Sequence, residues 1–165
     1  EGGSYSSGFS DIASSTSNSS GNYDISTEWK VVDKYNIKLF KQNYFDNSYE
    51  YLANDIPSGA EVNKNLVIHP VAWIKIVVNN VNPYDDNDQI SYKYDENEPF
   101  NCYDCCNNSS IVGNGMLYSN VLVCKLKGNA TAKVMWVVKK DNIIQSYSQN
   151  VFCNAFDTTE VSINY

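Results

Sequence analysis

The chain contains no arginine and a single histidine, His69; all 12 of its basic residues are lysine, set against 19 acids for a formal net charge of −7. Without guanidinium forks or a basic surface, bulk nucleic-acid binding has no electrostatic footing. One imidazole cannot build a two-histidine catalytic site. There is no G-x-S-x-G elbow, no H-E-x-x-H helix and no glycine-rich phosphate loop. His69 lies in Val-Ile-His-Pro-Val, the setting of a strand histidine rather than a general base. Carboxylate pairs drawn from the acids would be arbitrary, so the expectation is a protein that is not an enzyme. No apolar run approaches the roughly 18 residues of a membrane helix, so no transmembrane segment is expected. No segment keeps a 3.6-residue period for three turns, and alanine and leucine, the helix formers, are scarce.

What is present is a chain of 165 residues, about one domain in length. It is rich in aromatics, with Tyr 13, Phe 6 and Trp 3. The given sequence starts at Glu1 with neither a methionine nor a charged-then-apolar leader, the form of a processed secretory product. Glycosylation sequons occur at Asn18, at the overlapping Asn107 and Asn108, and at Asn129. Five cysteines, at 102, 105, 106, 124 and 153, lie in the second half. With the polar composition, these features point to an extracellular or cell-surface location.

An odd cysteine count leaves at least one outside any intrachain bridge. Cys124 and Cys153 sit in strand-like segments and are expected to pair, with a second bridge among Cys102, Cys105 and Cys106. The remaining thiol is either buried or joins two copies. A zinc site lacks the second C-x-x-C knuckle it needs.

Residues 1–24 stand apart, with nine serines and four glycines. Such an arm cannot bury enough apolar surface to fold alone. From Ile25 the dominant period is two. Strands are expected at 25–32, 36–41, 48–52, 66–69, 71–78, 89–94, 116–127, 131–139, 143–148, 151–153 and 160–165. Lys140-Asp141-Asn142 has hairpin-turn chemistry. The expectation is an all-β protein: an arm over 1–24, then a single β-sandwich of about ten strands over 25–165, jelly-roll or immunoglobulin-like in topology. A true immunoglobulin domain does not fit, because Cys153 follows Trp136 far too soon to be that fold's second cysteine.

Three features could carry function. Asp85, Asp86, Asn87 and Asp88 place hard oxygen donors on one turn, the chemistry of a Ca2+ site, with Asp95, Glu96 and Glu98 one strand further on. Charge is also segregated: seven acids against Lys93 over 85–104, then five lysines and no acid over 125–140. Such patches suit either solvation or head-to-tail contact between copies. Finally Tyr49 with Tyr51, and Tyr92 with Tyr94, project in pairs from one sheet face, either packing across strands or offering a platform for sugar rings.

Two functional readings follow. In the first, the protein is an extracellular structural subunit whose partner is another copy of itself. Its arm donates a strand to the next copy's sheet edge, anchored by Tyr5, Phe9 and Ile12. The alternative is a monomeric, calcium-assisted adhesion or carbohydrate-binding sandwich whose partner is a cell-surface glycan or protein.

Overall fold

The computed structural model describes residues 8–28, 30–95, 102 and 104–165. The chain divides into two compact units, Glu1–Leu39 with Asn47–Val67, and Phe40–Asp46 with Ile68–Tyr165.

The first unit holds an antiparallel pair, β1 (Lys34–Leu39) and β2 (Asn47–Leu52). A single 3-10 turn, Ala53–Asp55, follows. The alternation expected to make a strand of 25–32 does not do so: residues 25–28 and 30–33 join no ladder, and Val31 is largely exposed. A period of two becomes a strand only where another edge accepts its backbone, and among the described residues this sheet has two strands. Residues 66–69 also stay outside any named strand. A side chain serves their backbone instead: the Val67 N–H donates to Tyr49 Oη at 3.0 Å, and Tyr49 Oη donates to Val67 O at 3.0 Å.

The second unit is all-β, with two sheets sharing one core. The smaller sheet has the order β6-β3-β9, from β3 (Val71–Asn79), β6 (Ser119–Lys127) and β9 (Thr158–Asn164). The larger has the order β5-β4-β7-β8, from β4 (Gln89–Asp95), β5 (Ile111–Asn114), β7 (Ala130–Lys140) and β8 (Ile143–Cys153). Alternation left the topology open between jelly-roll and immunoglobulin-like. The observed sandwich has a mixed small sheet, since β3 pairs antiparallel with β6 but parallel with β9.

The core follows directly from the period of two. Ile74, Ile76 and Val78 of β3 face Ile90, Tyr92 and Tyr94 of β4 and Ala132, Val134 and Val138 of β7 in one buried cluster. Each fully buried aliphatic side chain contributes about 1.5–3 kcal/mol of transfer free energy. Despite its apolar run, β3 is fully buried on one face only. Trp73, Lys75 and Val77 on its other side are half-buried, and Lys75 pairs with Glu160 at 2.9 Å. The β7–β8 hairpin turns as expected on Asp141 and Asn142. Both have positive φ, 47° and 57°, as a two-residue turn matching strand twist requires.

The cysteine pairing differs from expectation. Cys102 bonds Cys105, the bridge expected within the cluster, but Cys124 bonds Cys106 rather than Cys153. The reason lies in the backbone beside β6. The Cys106 N–H donates to Lys125 O at 2.9 Å and the Lys125 N–H to Asp104 O at 2.7 Å, so residues 104–106 run along that edge. This lays Cys106 against Cys124. Cys153 ends β8 in the opposite sheet as a buried thiol, its Sγ 3.9 Å from Val151 O. Four cysteines are thus committed, and the fifth, Cys153, is buried.

Candidate functional site, an unguarded sheet edge

β8 is the outer strand of the four-stranded sheet. Its 11 residues, IIQSYSQNVFC, contain no charged residue, no proline and no glycine. Natural sheets protect such an edge by shortness, charge, proline or a cover, and the other edges here do so. β5 has 4 residues, β9 carries Glu160, and β6 has residues 104–106 beside it. Among the described residues no strand lies beyond β8.

The strand is open on both faces as well as along its edge. Residues directly opposite in an antiparallel pair point the same way. Gln145, Tyr147 and Gln149 therefore share the inward direction of Val138, Trp136 and Val134. All three are nonetheless exposed, Tyr147 at 44%. The facing sheet is one strand narrower, and among the described residues no strand covers this stretch of β8. Trp136, half-buried against the core, stacks on Tyr147 with centroids 5.6 Å apart and planes 18° apart. Tyr147 Oη donates to Gln145 Oε1 at 2.5 Å. On the outward face Ile144 is 65% exposed.

Of the arm side chains expected to anchor assembly, Phe9 is 56% and Ile12 40% exposed. Tyr5 lies outside the described residues. At the base of the arm, Tyr23 Oη donates to Lys64 O at 2.8 Å.

The acidic turn holds its four oxygen-bearing side chains in different settings. Asp85 folds onto Asn87, whose backbone N–H donates to Oδ1 at 2.8 Å and whose Nδ2 donates to Oδ2 at 3.2 Å. Asp86 and Asn87 are exposed. Asp88 alone turns inward and is fully buried, at 0% exposure. Its Oδ2 accepts from the Tyr84 N–H and from Asn80 Nδ2, each at 2.8 Å, and its Oδ1 from the Asp85 N–H at 3.3 Å. Burial by itself raises the pKa of this carboxyl. The Tyr84 N–H, Asn80, the Asp85 N–H and the Lys140 charge outweigh it and hold the pKa below the ordinary value. Lys140 supplies the cation of the turn: Nζ donates to Asn80 Oδ1 at 2.8 Å and to Asn82 O at 2.5 Å, and stands 4.8 Å from the Tyr165 ring centroid. Among the described residues no three carboxylates, thiols or imidazoles converge on a metal position. Glu96 and Glu98 lie outside the described residues.

The oppositely charged segments are partly consumed within one chain. Lys125 pairs with Asp104 at 3.1 Å, Lys140 faces Asp88, and Lys133 stands across the ladder from Asp95. Tyr92 and Tyr94 are core residues, and Tyr49 and Tyr51 are half-buried, Tyr51 beneath the Lys64 ammonium. None of these four forms an open platform; Tyr147 is one of the exposed aromatics, and it stacks on Trp136. The sequence signal for this stack was available, since Trp136 and Tyr147 flank the Asp141-Asn142 turn at equal distance and must face one another across it. All four sequon asparagines are exposed. Asn129 also holds a tight turn, its Oδ1 accepting from the Ala155 N–H at 3.0 Å. No helix among the described residues is long and apolar enough to cross a membrane.

No family model, no curated protein and no solved structure matches this chain.

Proposed function

We propose that the protein is a non-enzymatic, extracellular structural subunit that self-assembles into a surface or extracellular filament. The N-terminal arm of one copy adds as a strand to the open β8 edge of the next. The observation that carries this reading is β8 itself, 11 residues long, without charge or proline and, among the described residues, with no strand beyond its free edge. Strand addition draws its affinity from backbone hydrogen bonds that such an edge leaves unmade, and its specificity from side chains alternating along the added strand. The contact is heterologous, since arm and edge are different surfaces, so repetition yields rings or open filaments. The disulfides Cys102–Cys105 and Cys106–Cys124 support an oxidising compartment. Exposed Asn18, Asn107, Asn108 and Asn129 suit glycan attachment there.

Deleting residues 1–20 tests the reading, with sedimentation velocity as the readout. Assemblies present in the full chain are expected to disappear from the deletion variant, leaving a folded monomer. Assemblies of unchanged size in the deletion variant would remove the arm from the account.

A second reading is favoured by one specific feature, the Trp136–Tyr147 stack beside the amides of Gln145 and Gln149. An exposed aromatic face flanked by neutral hydrogen-bonding side chains is suited to a sugar ring. In that case the protein is a monomeric adhesion or carbohydrate-binding module. A strict monomer at high concentration, with Tyr147-dependent binding to an immobilised glycan panel, is its signature.

A further inference from the structure

Resting on the reading that the arm adds to the β8 edge, we infer the register in which it does so. The arm runs antiparallel to β8 of the neighbouring copy, with Phe9 opposite Tyr147 and Ile12 opposite Ile144.

Phe9 and Ile12 are three residues apart, so in an extended strand they point to opposite faces. Their acceptor must offer two apolar side chains with that same separation, one on each face. The large apolar residues of β8 are Ile143, Ile144, Tyr147, Val151 and Phe152. Ile144 and Tyr147 alone among them are three apart. They lie on opposite faces, Tyr147 beside Trp136 on the inward side and Ile144 beside Lys139 on the outward side. Both are exposed.

That pair admits a parallel or an antiparallel arm, and the flanking sequence separates the two. Counting outward, the antiparallel register sets Tyr5 opposite Val151, so all three apolar arm residues meet apolar partners. The parallel register carries Tyr5 to Lys140, beyond the end of β8. Charge agrees with the antiparallel choice. Asp11 is the one charged residue within 5–13, and β8 has none to repel it. Asp11 falls opposite Gln145, whose Oε1 is engaged by Tyr147 Oη and whose Nε2 is left to donate. Phe9 then extends the Trp136–Tyr147 stack over the part of the sheet that the narrower facing sheet leaves bare.

Charge rescue tests the register. Ile144→Glu is tolerated in the monomer, because the side chain is exposed and stands across from Lys139. It should abolish assembly by placing a carboxylate against Ile12. The double variant Ile12→Lys with Ile144→Glu should regain it, whereas Phe9→Lys with Ile144→Glu should not. Equal rescue by both doubles, or by neither while deletion of residues 1–20 still abolishes assembly, overturns the register and leaves strand donation standing. Assembly that survives the deletion overturns both. A second measurement does not depend on how the glutamate variant folds. Chains carrying Ile12→Cys mixed with chains carrying Ile144→Cys should form covalent dimers under mild oxidation, and Ile12→Cys mixed with Ser148→Cys should not. The reverse yield overturns the register.

Discussion

Lys140 Nζ stands 3.8 Å from Asp88 Oδ2, a carboxylate with no exposed surface at the heart of the acidic turn. The turn is thereby a closed electrostatic unit. Its one inward carboxylate is saturated by Tyr84, Asn80 and Asp85, and its cation comes from the end of β7. A buried charge is costly only when its partners are removed. Asp88→Asn keeps the shape but strips the charge that compensates Lys140 and turns one acceptor oxygen into an NH2 facing N–H donors. The expected loss is about 3 kcal/mol of unfolding free energy, measured by urea denaturation. Lys140→Met, at a partly exposed position, should cost less, and the double variant less than the sum of the singles.

Titration gives the same pair a pH signature. The folded-state pKa of Asp88 is held below its ordinary value of 3.8. Its contribution is therefore complete above that value and disappears as pH falls through the folded pKa. Unfolding free energy of the parent should drop below about pH 4, and the gap between parent and Asp88→Asn should narrow over the same window. At the alkaline end, burial and Tyr118 push Tyr92 up to about 12, while burial and the Asp88 charge push Tyr165 to about 12. The unfolded chain releases these protons near 10, so stability should fall again as pH rises from 10 toward 12. Chemical denaturation across pH 2–12 checks both limbs.

Calcium provides an independent discrimination between the two functional readings. With Asp88 committed to N–H donors and Lys140 inside the turn, added Ca2+ or a chelator should leave the melting temperature unchanged. Binding at a hundred times Kd would add about 2.7 kcal/mol, a shift thermal melts readily detect. A calcium-dependent rise would favour the adhesion module.

Much of the sandwich was written in the period of two, because each of β3, β4 and β7 has one face turned to a core. Ile74, Ile76 and Val78, or Ile90, Tyr92 and Tyr94, cannot alternate by accident over that length. Where a strand faces nothing, the signal fails. β8 has exposed residues on both sides, so Ile143–Ser148 and Val151–Cys153 read as two pieces when they are one strand. β5, with 4 residues including Gly113, offered too little pattern to detect. Pairings made through space were beyond local reading altogether. That Cys106 meets Cys124 depends on residues 104–106 lying along β6, and that Lys140 serves Asp88 depends on where the β7 terminus falls. The open edge was legible in a different way, through what Ile143–Cys153 lacks.

The disulfide arrangement makes its own prediction. Cys106 and Cys124 close a loop of 18 residues onto the core, and removing that closure with a double Ser substitution should cost about 3 kcal/mol. Cys102→Ser with Cys105→Ser, spanning only 3 residues, should cost less. On a non-reducing gel after denaturation the protein should run as a single chain, since Cys153 is buried in β8. A covalent dimer that disappears in Cys153→Ser would show that the thiol becomes exposed in assembly.

The most direct probe of the edge is to guard it as other proteins do. Gln149 lies on the inward side of β8, across from Val134, where the narrower facing sheet leaves it exposed. A lysine at this site stays solvated in the monomer, so Gln149→Lys should change unfolding free energy by no more than about 0.5 kcal/mol. Once a further strand adds to β8, the same ammonium is enclosed between that strand and the Trp136–Tyr147 stack, where no carboxylate awaits it. Inward-pointing charge is how natural edge strands refuse partners. Sedimentation velocity should then show a monomer of parental stability at concentrations where the parent assembles. Undiminished assembly by this variant would place the contact elsewhere on the molecule.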